Sequence, residues 1–169
     1  ETSLLGALAR IYGQLAGSSI TSGYNNTFIG QEAGASSTIG SSNTALGYRA
    51  LFSNDSGRFN IAIGNEALTS NTASFFNIGI GYHALFKNTT GQNNTAVGYS
   101  LYENTSGNAN TALGHSSLDS NTTGSFNVGC GGQTLSKNTV GEFNTAIGYQ
   151  ALFRNKSGIQ NVGAGMGAL

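Results

Sequence analysis

The sequence predicts an all-β protein, a parallel β-solenoid of nine rungs of about 17 residues each, preceded by a short amino-terminal helical or connector segment. Three observations lead to this prediction. An asparagine recurs at a nearly constant interval, a short alternating apolar stretch follows it, and a glycine follows that stretch in every copy.

The repeat is defined by an anchor asparagine at the start of each unit. Consecutive anchors are 17 residues apart, except for one step of 16 residues between Asn94 and Asn110. The fullest copies read NTALGYRALFSNDSG (43–57), NIGIGYHALFKNTTG (77–91) and NTAIGYQALFRNKSG (144–158). The nine anchors are Asn26, Asn43, Asn60, Asn77, Asn94, Asn110, Asn127, Asn144 and Asn161.

The residues after each anchor predict a short strand. Position one, counted from the anchor, is Thr, Ile or Val, and position three is mostly Ile, Leu or Val, as in Thr44 and Leu46. Position two between them is usually Ala or Gly, so positions one and three share one face of the strand. Position four is always Gly, which suits a bend or a positive φ angle.

The second half of each unit contains another short apolar stretch and a turn. The stretch reads AL or ALF, as at Leu51 and Leu85, and predicts a second short strand. A second ladder of asparagines follows, with small polar residues and usually a glycine, which are typical turn residues. One unit buries too little apolar surface to offset its ordering entropy, so the units must stack.

The motif NTAIGYQALFRNKSG and its sister copies resemble the NTAVGYQAL-type repeats of bacterial and phage tail-fibre-like surface proteins. More loosely, N-T-A-I-G resembles the head repeats of trimeric autotransporter adhesins, over about residues 24–169. The adhesin resemblance implies that Thr44 and Leu46, or Thr145 and Ile147, face the core. It also implies that the small residues of position two face a partner chain, namely Ala45, Ala62, Ala96, Ala112 and Ala146.

Residues 1–22 depart from the 17-residue pattern and predict a capping or assembly segment, with the repeat domain spanning residues 23–169. Apolar residues lie at helical spacing in this segment. Two interpretations remain open, a helix that caps the first rung and a connector that docks on another subunit's last rung. The candidate assembly residues are Leu4, Leu5, Leu8, Ile11, Tyr12 and Leu15.

The composition excludes several classes of function. Only 8% of residues are charged and the formal net charge is zero, so no basic patch for nucleic acid is expected. No apolar run is long enough to span a membrane. The scattered carboxylates, with no motif for a metal or a phosphate, predict no cofactor and no enzymatic activity.

The two histidines and the single cysteine are expected to be structural. His83 and His115 fall near the glycine bend of different rungs without a carboxylate partner in the repeat, so we expect both at the surface. Cys130 occupies position three of its rung and is expected to be a small core residue.

Surface chemistry leaves two further candidates. A stripe of Tyr48, Tyr82, Tyr99 and Tyr149 at position five either packs beside the bend or binds sugars. An ice-binding array of threonines is not expected, because position one is predicted to face inward. Seven N-x-S/T motifs are candidate glycosylation sites, of which the five in the second ladder would be blocked if that ladder points inward: Asn25, Asn54, Asn88, Asn93, Asn104, Asn121 and Asn155.

Taken together, the sequence predicts a non-enzymatic structural subunit of a fibre that is extracellular or lies on the surface of a cell or virion. We expect the chain to associate with itself, either end to end or as a trimer, and to carry sugars in one variant of this hypothesis. The alternative is an adhesin-head or tail-fibre module that binds glycans on a host surface.

Overall fold

The computed structural model of the protein describes residues 9–169, which form one ten-stranded parallel sheet with its strands in sequence order. Each strand pairs in register with the equivalent strand of the next rung, so the β-solenoid predicted from the sequence is confirmed. The strands are β1 (Arg10–Tyr12), β2 (Thr27–Ile29), β3 (Thr44–Leu46), β4 (Ile61–Ile63), β5 (Ile78–Ile80), β6 (Thr95–Val97), β7 (Thr111–Leu113), β8 (Val128–Cys130), β9 (Thr145–Ile147) and β10 (Val162–Ala164).

The sheet begins inside the amino-terminal segment. Strand β1 pairs with β2, and turns follow it over residues 14–19, as in the later rungs. The helical interpretation is therefore wrong for residues 10–19. The apolar residues there fit the spacing of a helix, but they also fit the spacing of a rung. Leu4, Leu5 and Leu8 lie outside the described residues.

The strands face the opposite way from the orientation that the adhesin resemblance implies. Position two is inside, since Ala45 and Ala146 are fully buried. Positions one and three point outward, with Leu46 44% and Ile147 51% exposed. The implied inward placement of Thr44, Leu46, Thr145 and Ile147 is wrong. So is the implied partner contact of the small residues, because Ala45, Ala62, Ala96, Ala112 and Ala146 all lie in the core.

The interior is too narrow for large side chains at position two, because leucines from the opposite wall fill it. A Cβ atom built on Gly79 at position two would lie 3.3 Å from Leu68 Cγ. The exception is Phe28, which is fully buried because Gly34 stands where other rungs have leucine. A Cβ atom at Gly34 would lie 2.5 Å from the Phe28 ring. The rung that contains β1 has the same combination, with the large Ile11 at position two and Gly17 at the position where other rungs have leucine.

The second apolar stretch forms turns rather than the second strand predicted from the sequence. Its leucine adopts the left-handed conformation in each rung, which costs a residue with a side chain about 1–2 kcal/mol. Burial of the side chain against the stacked rungs offsets that cost. These leucines have φ angles between 47° and 56° and are Leu51, Leu68, Leu85, Leu101, Leu118, Leu135 and Leu152.

Two buried asparagine ladders join the rungs. In the anchor ladder, Asn43 donates from its backbone N–H (2.9 Å) and from Nδ2 (3.2 Å) to Asn26 Oδ1. Its Nδ2 also donates to the Gly57 carbonyl at 2.8 Å. In the second ladder, Asn71 Nδ2 donates to Asn54 Oδ1 at 2.8 Å. Buried amides gain from such networks only when they are fully satisfied, and this repeat satisfies them by stacking.

The glycine at position four has the positive φ angle that the sequence predicts, and it also brings neighbouring rungs into close contact. Gly47 has a φ angle of 137°, and a Cβ atom there would lie 2.5 Å from the Gly64 carbonyl oxygen. Both the conformation and the space therefore require glycine.

Candidate functional site

The outer surface of the sheet consists of two parallel columns of side chains, from positions one and three of each strand. Position one presents aliphatic residues, such as Ile61 (37% exposed) and Val128 (37% exposed), interspersed with threonines. The prediction that position one faces inward is wrong, so the direction of this position does not exclude an ice-binding array of threonines. A flat threonine array is nevertheless not formed, because threonine fills this position in only five of the ten strands.

Cys130 lies in the outward column of position three, between Leu113 and Ile147. Its side chain is free and half-buried, so the prediction of a core cysteine is wrong. The predictions for Cys130 and for the orientation of the strands were wrong for the same reason. The repeat period fixes which residues share a face but not which face is inside.

A second exposed feature lies at the corner that leads into the sheet, and we call it the phenylalanine column. It consists of phenylalanines that directly precede an anchor asparagine and are 50–55% exposed. They form two stacked pairs, Phe59 with Phe76 (ring centroids 5.1 Å apart) and Phe126 with Phe143 (4.9 Å). The column was missed in the sequence analysis, although the recurring dipeptide FN ahead of the anchor was a visible signal.

An aromatic cluster occupies the opposite corner, after the strands. Tyr82 stacks on His83 (3.8 Å between centroids) and lies 6.3 Å from Tyr99, which lies 5.7 Å from His115. The structure thus brings together two of the four tyrosines predicted to form a stripe. Tyr48 and Tyr149 are exposed, but Asn65 separates Tyr48 from the cluster, and Gly132 precedes Tyr149 in the same column.

Charged side chains alternate along this corner. Arg49 Nε lies 3.3 Å from Glu32 and its Nη1 lies 3.6 Å from Glu66, whose other oxygen is 2.8 Å from His83 Nε2. The expectation that His83 lacks a carboxylate partner is wrong, because stacking places residues 17 positions apart side by side. His115 is exposed, as expected.

The carboxylates beside the aromatic cluster have distinct environments. Glu103 pairs with Lys87 at 2.9 Å, and the hydrogen bond from this lysine to Glu103 raises the pKa of Lys87. Burial raises the pKa of Asp119, and the nearby Glu103 raises it further. Asp119 Oδ1 has no hydrogen-bond partner within residues 9–169. Burial, followed by the charge of Asp119, also raises the pKa of Tyr99.

The candidate glycosylation sites fall into two groups. Asn54, Asn88, Asn104 and Asn121 are fully buried in the second ladder, and Asn155 at its end is half-buried, so this ladder points inward. Their Nδ2 atoms donate to neighbouring rungs, as Asn88 Nδ2 does to Asn71 Oδ1 at 3.1 Å. Asn25 and Asn93 are instead exposed at the corner ahead of the anchor.

The candidate assembly residues that the structure describes lie in the first rung. Tyr12 and Leu15 are 69% and 57% exposed. Ile11 is at position two of β1, in register with buried Phe28, but Ile11 itself is 38% exposed. At the other end of the stack, Met166 and Leu169 are 84% and 83% exposed.

No group of three or more metal-ligating side chains occurs among residues 9–169. The same part of the chain contains no helix that is long and apolar enough to cross a membrane. A shallow hollow at the β10 end is lined by Gln150, Phe153, Arg154, Gly167 and Leu169, and it brings no acid and base together. Comparison of the chain with family models, with curated proteins and with solved structures gives no match.

Proposed function

We propose that this chain is a non-catalytic structural subunit of an extracellular or virion-surface fibre, in which copies join end to end by continuing the solenoid stack. The single observation that carries the proposal is the repetition of the same in-register backbone pairing through all ten strands, which the two asparagine ladders reinforce over most of the stack. A stack that is held together by repeated backbone pairing can be extended by one more strand pair of the same kind.

The backbone hydrogen bonds within the stack have a pattern that a joint between two copies would continue. Within the stack, the Thr145 N–H donates to the Asn161 carbonyl, and the Gly165 N–H donates to the Ile147 carbonyl, both at 2.8 Å. The backbone N–H of position one therefore donates to the following rung, and the backbone carbonyl of position three accepts a hydrogen bond from it. This pattern repeats from rung to rung.

The two outer strands carry complementary groups at the same positions. Strand β10 pairs with β9, and its Val162 N–H and Ala164 carbonyl point away from that partner. The corresponding groups near β1 are the Ala9 carbonyl and the Gly13 N–H. Pairing β10 of one copy with β1 of another would form the bonds found inside the stack, and such a head-to-tail contact builds a filament.

Electron microscopy of the chain with a strand-edge variant tests this proposal. Val162→Pro removes the N–H donor at the β10 edge and should leave single rods of roughly 43 Å, the length of ten rungs about 4.8 Å apart. Val162→Thr, which copies Thr145 of the previous rung, should keep the longer rods of the wild type. Wild-type rods of a single length at all concentrations would contradict end-to-end joining.

A second candidate function is recognition of glycans by the aromatic cluster around Tyr82. The observation that favours it is the 57% exposure of Tyr82 beside Tyr99 and the carboxylate of Glu103. Aromatic faces and carboxylates are groups that stack on and hydrogen-bond to sugars. A glycan array with wild type and Tyr82→Ala tests it, and equal signals from both proteins would exclude this cluster as the binding site.

A further inference from the structure

We propose that two copies of this chain associate side by side in antiparallel orientation through the phenylalanine column. This contact uses the side of the solenoid rather than its ends, so it goes beyond the end-to-end function proposed above. The occupant of the surface is a second copy of the same chain.

The column is an exposed apolar surface of the kind that marks an interaction site. Its four rings are half-exposed, and Phe75 (37% exposed) and Ile61 (37% exposed) extend the surface at the first pair. Val128 extends it at the second pair. Aromatic rings left open to water in neighbouring rungs are unusual on a monomer and are enriched at interfaces.

The positions of the four rings have a symmetry that selects the partner. Numbered by their anchors, Phe59 and Phe76 belong to rungs 3 and 4, and Phe126 and Phe143 belong to rungs 7 and 8. Rungs 5 and 6 between them carry Asn93 and Ala109 instead. The pattern therefore reads the same in both directions from its midpoint.

An antiparallel pair makes use of this symmetry. A two-fold axis in the interface, perpendicular to the solenoid axis, reverses the rung order and keeps each column facing its own copy. With the axis between rungs 5 and 6, Phe59 faces Phe143 of the other copy, and Phe76 faces Phe126. The smaller residues Asn93 and Ala109 lie near the axis. In the outward column of position one, Thr95 then faces Thr111, and Ile78 faces Val128.

Two charged residues beside the phenylalanine column favour the same antiparallel alignment, independently of the rings. Arg58 directly precedes Phe59 in rung 3, and Glu142 directly precedes Phe143 in rung 8. The antiparallel axis places Arg58 of each copy opposite Glu142 of the other, so two ion pairs form. Within residues 9–169 neither side chain forms an ion pair in the single chain.

A parallel arrangement lacks these advantages. Rotation about an axis along the solenoid keeps equal rungs at equal height, so Arg58 would approach Arg58 and Glu142 would approach Glu142. Like charges across an interface disfavour that partner. The same objection applies to a parallel trimer built on this column.

Sedimentation equilibrium of the full chain carrying Val162→Pro, which prevents end-to-end growth, tests the proposal through charge exchange. This parent protein should form a dimer. Arg58→Glu and Glu142→Arg, each added to the parent, should raise the dimer dissociation constant by roughly tenfold, because each creates two like-charge contacts. The double charge variant should regain the constant of the parent. So should an equimolar mixture of the two single variants, in which every contact again joins opposite charges.

The contribution of the phenylalanine rings to the dimer is tested by replacing them with a residue that other rungs have at the same position. Phe59→Asn combined with Phe76→Asn copies Asn25 and Asn93, which adopt the same left-handed conformation in other rungs, so the fold should be kept. This variant should raise the dissociation constant at least roughly thirtyfold. Tyr149→Asn, which copies Asn65 at the opposite corner, is the matched control and should leave the constant unchanged.

Clear outcomes would overturn the proposal. These are a Val162→Pro parent that is monomeric at every concentration, a trimeric mass, or charge variants that do not recover when mixed. Val162→Pro separates this proposal from the previous one, since it should abolish lengthwise growth and leave the side-by-side dimer intact.

Discussion

Asn94 Oδ1 accepts two hydrogen bonds from Asn110, one from the backbone N–H at 3.0 Å and one from Nδ2 at 3.2 Å. These two residues are separated by 16 positions, whereas every other anchor pair is separated by 17. The ladder therefore keeps its geometry across the one short rung. The short rung lacks one residue at the corner after its strand. The other rungs have a residue in the left-handed conformation at that place, such as His83.

The anchor ladder should be sensitive to charge. Asn94→Asp replaces the Nδ2 donor, which bonds to Asn77 Oδ1 and to the Gly107 carbonyl, with an oxygen that repels both. We expect a loss of about 2–4 kcal/mol in the free energy of unfolding, measured by urea denaturation. Asn93→Asp, one residue earlier and exposed, is the control and should change the free energy by less than about 0.5 kcal/mol. Equal losses in the two variants would contradict a buried ladder.

Two glycine variants can separate the effect on stability of the close contact between rungs at position four from the effect of backbone strain. Gly47→Ala imposes both an unfavourable φ angle and a clash with the Gly64 carbonyl, so it should cost at least about 3 kcal/mol in free energy of unfolding. Gly165→Ala has a similar positive φ angle, but no atom lies within 4 Å of the added Cβ. It should cost only about 1–3 kcal/mol, and thermal unfolding of the two variants would measure the difference.

Asp119 should make stability depend on pH. Its pKa in the folded state lies above its ordinary value of 3.8, so the folded protein binds this proton more tightly than the unfolded chain does. The ionised carboxylate therefore destabilises the fold, and this penalty disappears as the pH falls through the folded-state pKa.

Asp119→Asn should accordingly raise the free energy of unfolding at pH 7, by less than about 1 kcal/mol because the side chain is partly exposed. The gain should shrink toward zero in acid, as measured by urea denaturation at a series of pH values. A gain that stays constant with pH would show that the titration of Asp119 is not its cause.

The orientation of the strands can be checked with the native cysteine. Because Cys130 lies in an outward column, a thiol reagent should label it in the folded protein without lowering the midpoint of thermal unfolding. Labelling that requires denaturant would place position three inside, contrary to the structure. Cys130→Ser provides the blank for the reaction.

Glycosylation of the folded chain should be limited to the exposed motifs. When the folded protein is incubated with an oligosaccharyltransferase, mass spectrometry should find sugar at Asn25, and at Asn93 in the molecules that are not dimeric. The four buried ladder sites should remain unmodified, because their side-chain N–H groups already donate to the preceding rung. Sugar at Asn88 or Asn104 would mean that the second ladder opens.

The period of the repeat was readable from the sequence because stacking imposes one residue type at each corner. Only an amide such as Asn94 can donate to one rung and accept from the next, and only glycine fits at position four. These demands recur in almost every rung, so the rungs and the bends could be predicted, whereas the sequence left the inward direction of the second ladder open. The tenth strand was missed because Ala9 replaces the anchor asparagine ahead of β1.

The direction of each strand was decided only by the tertiary structure. In a three-residue strand such as Thr44–Leu46, alternation defines two faces but does not say which one is inside. Leu51 and its equivalents occupy the interior from the opposite wall and leave room for little more than a methyl group. The large residues of positions one and three are therefore outside. The contacts between residues 17 positions apart, including Glu66 with His83 and Phe59 with Phe76, exist only once the rungs are stacked.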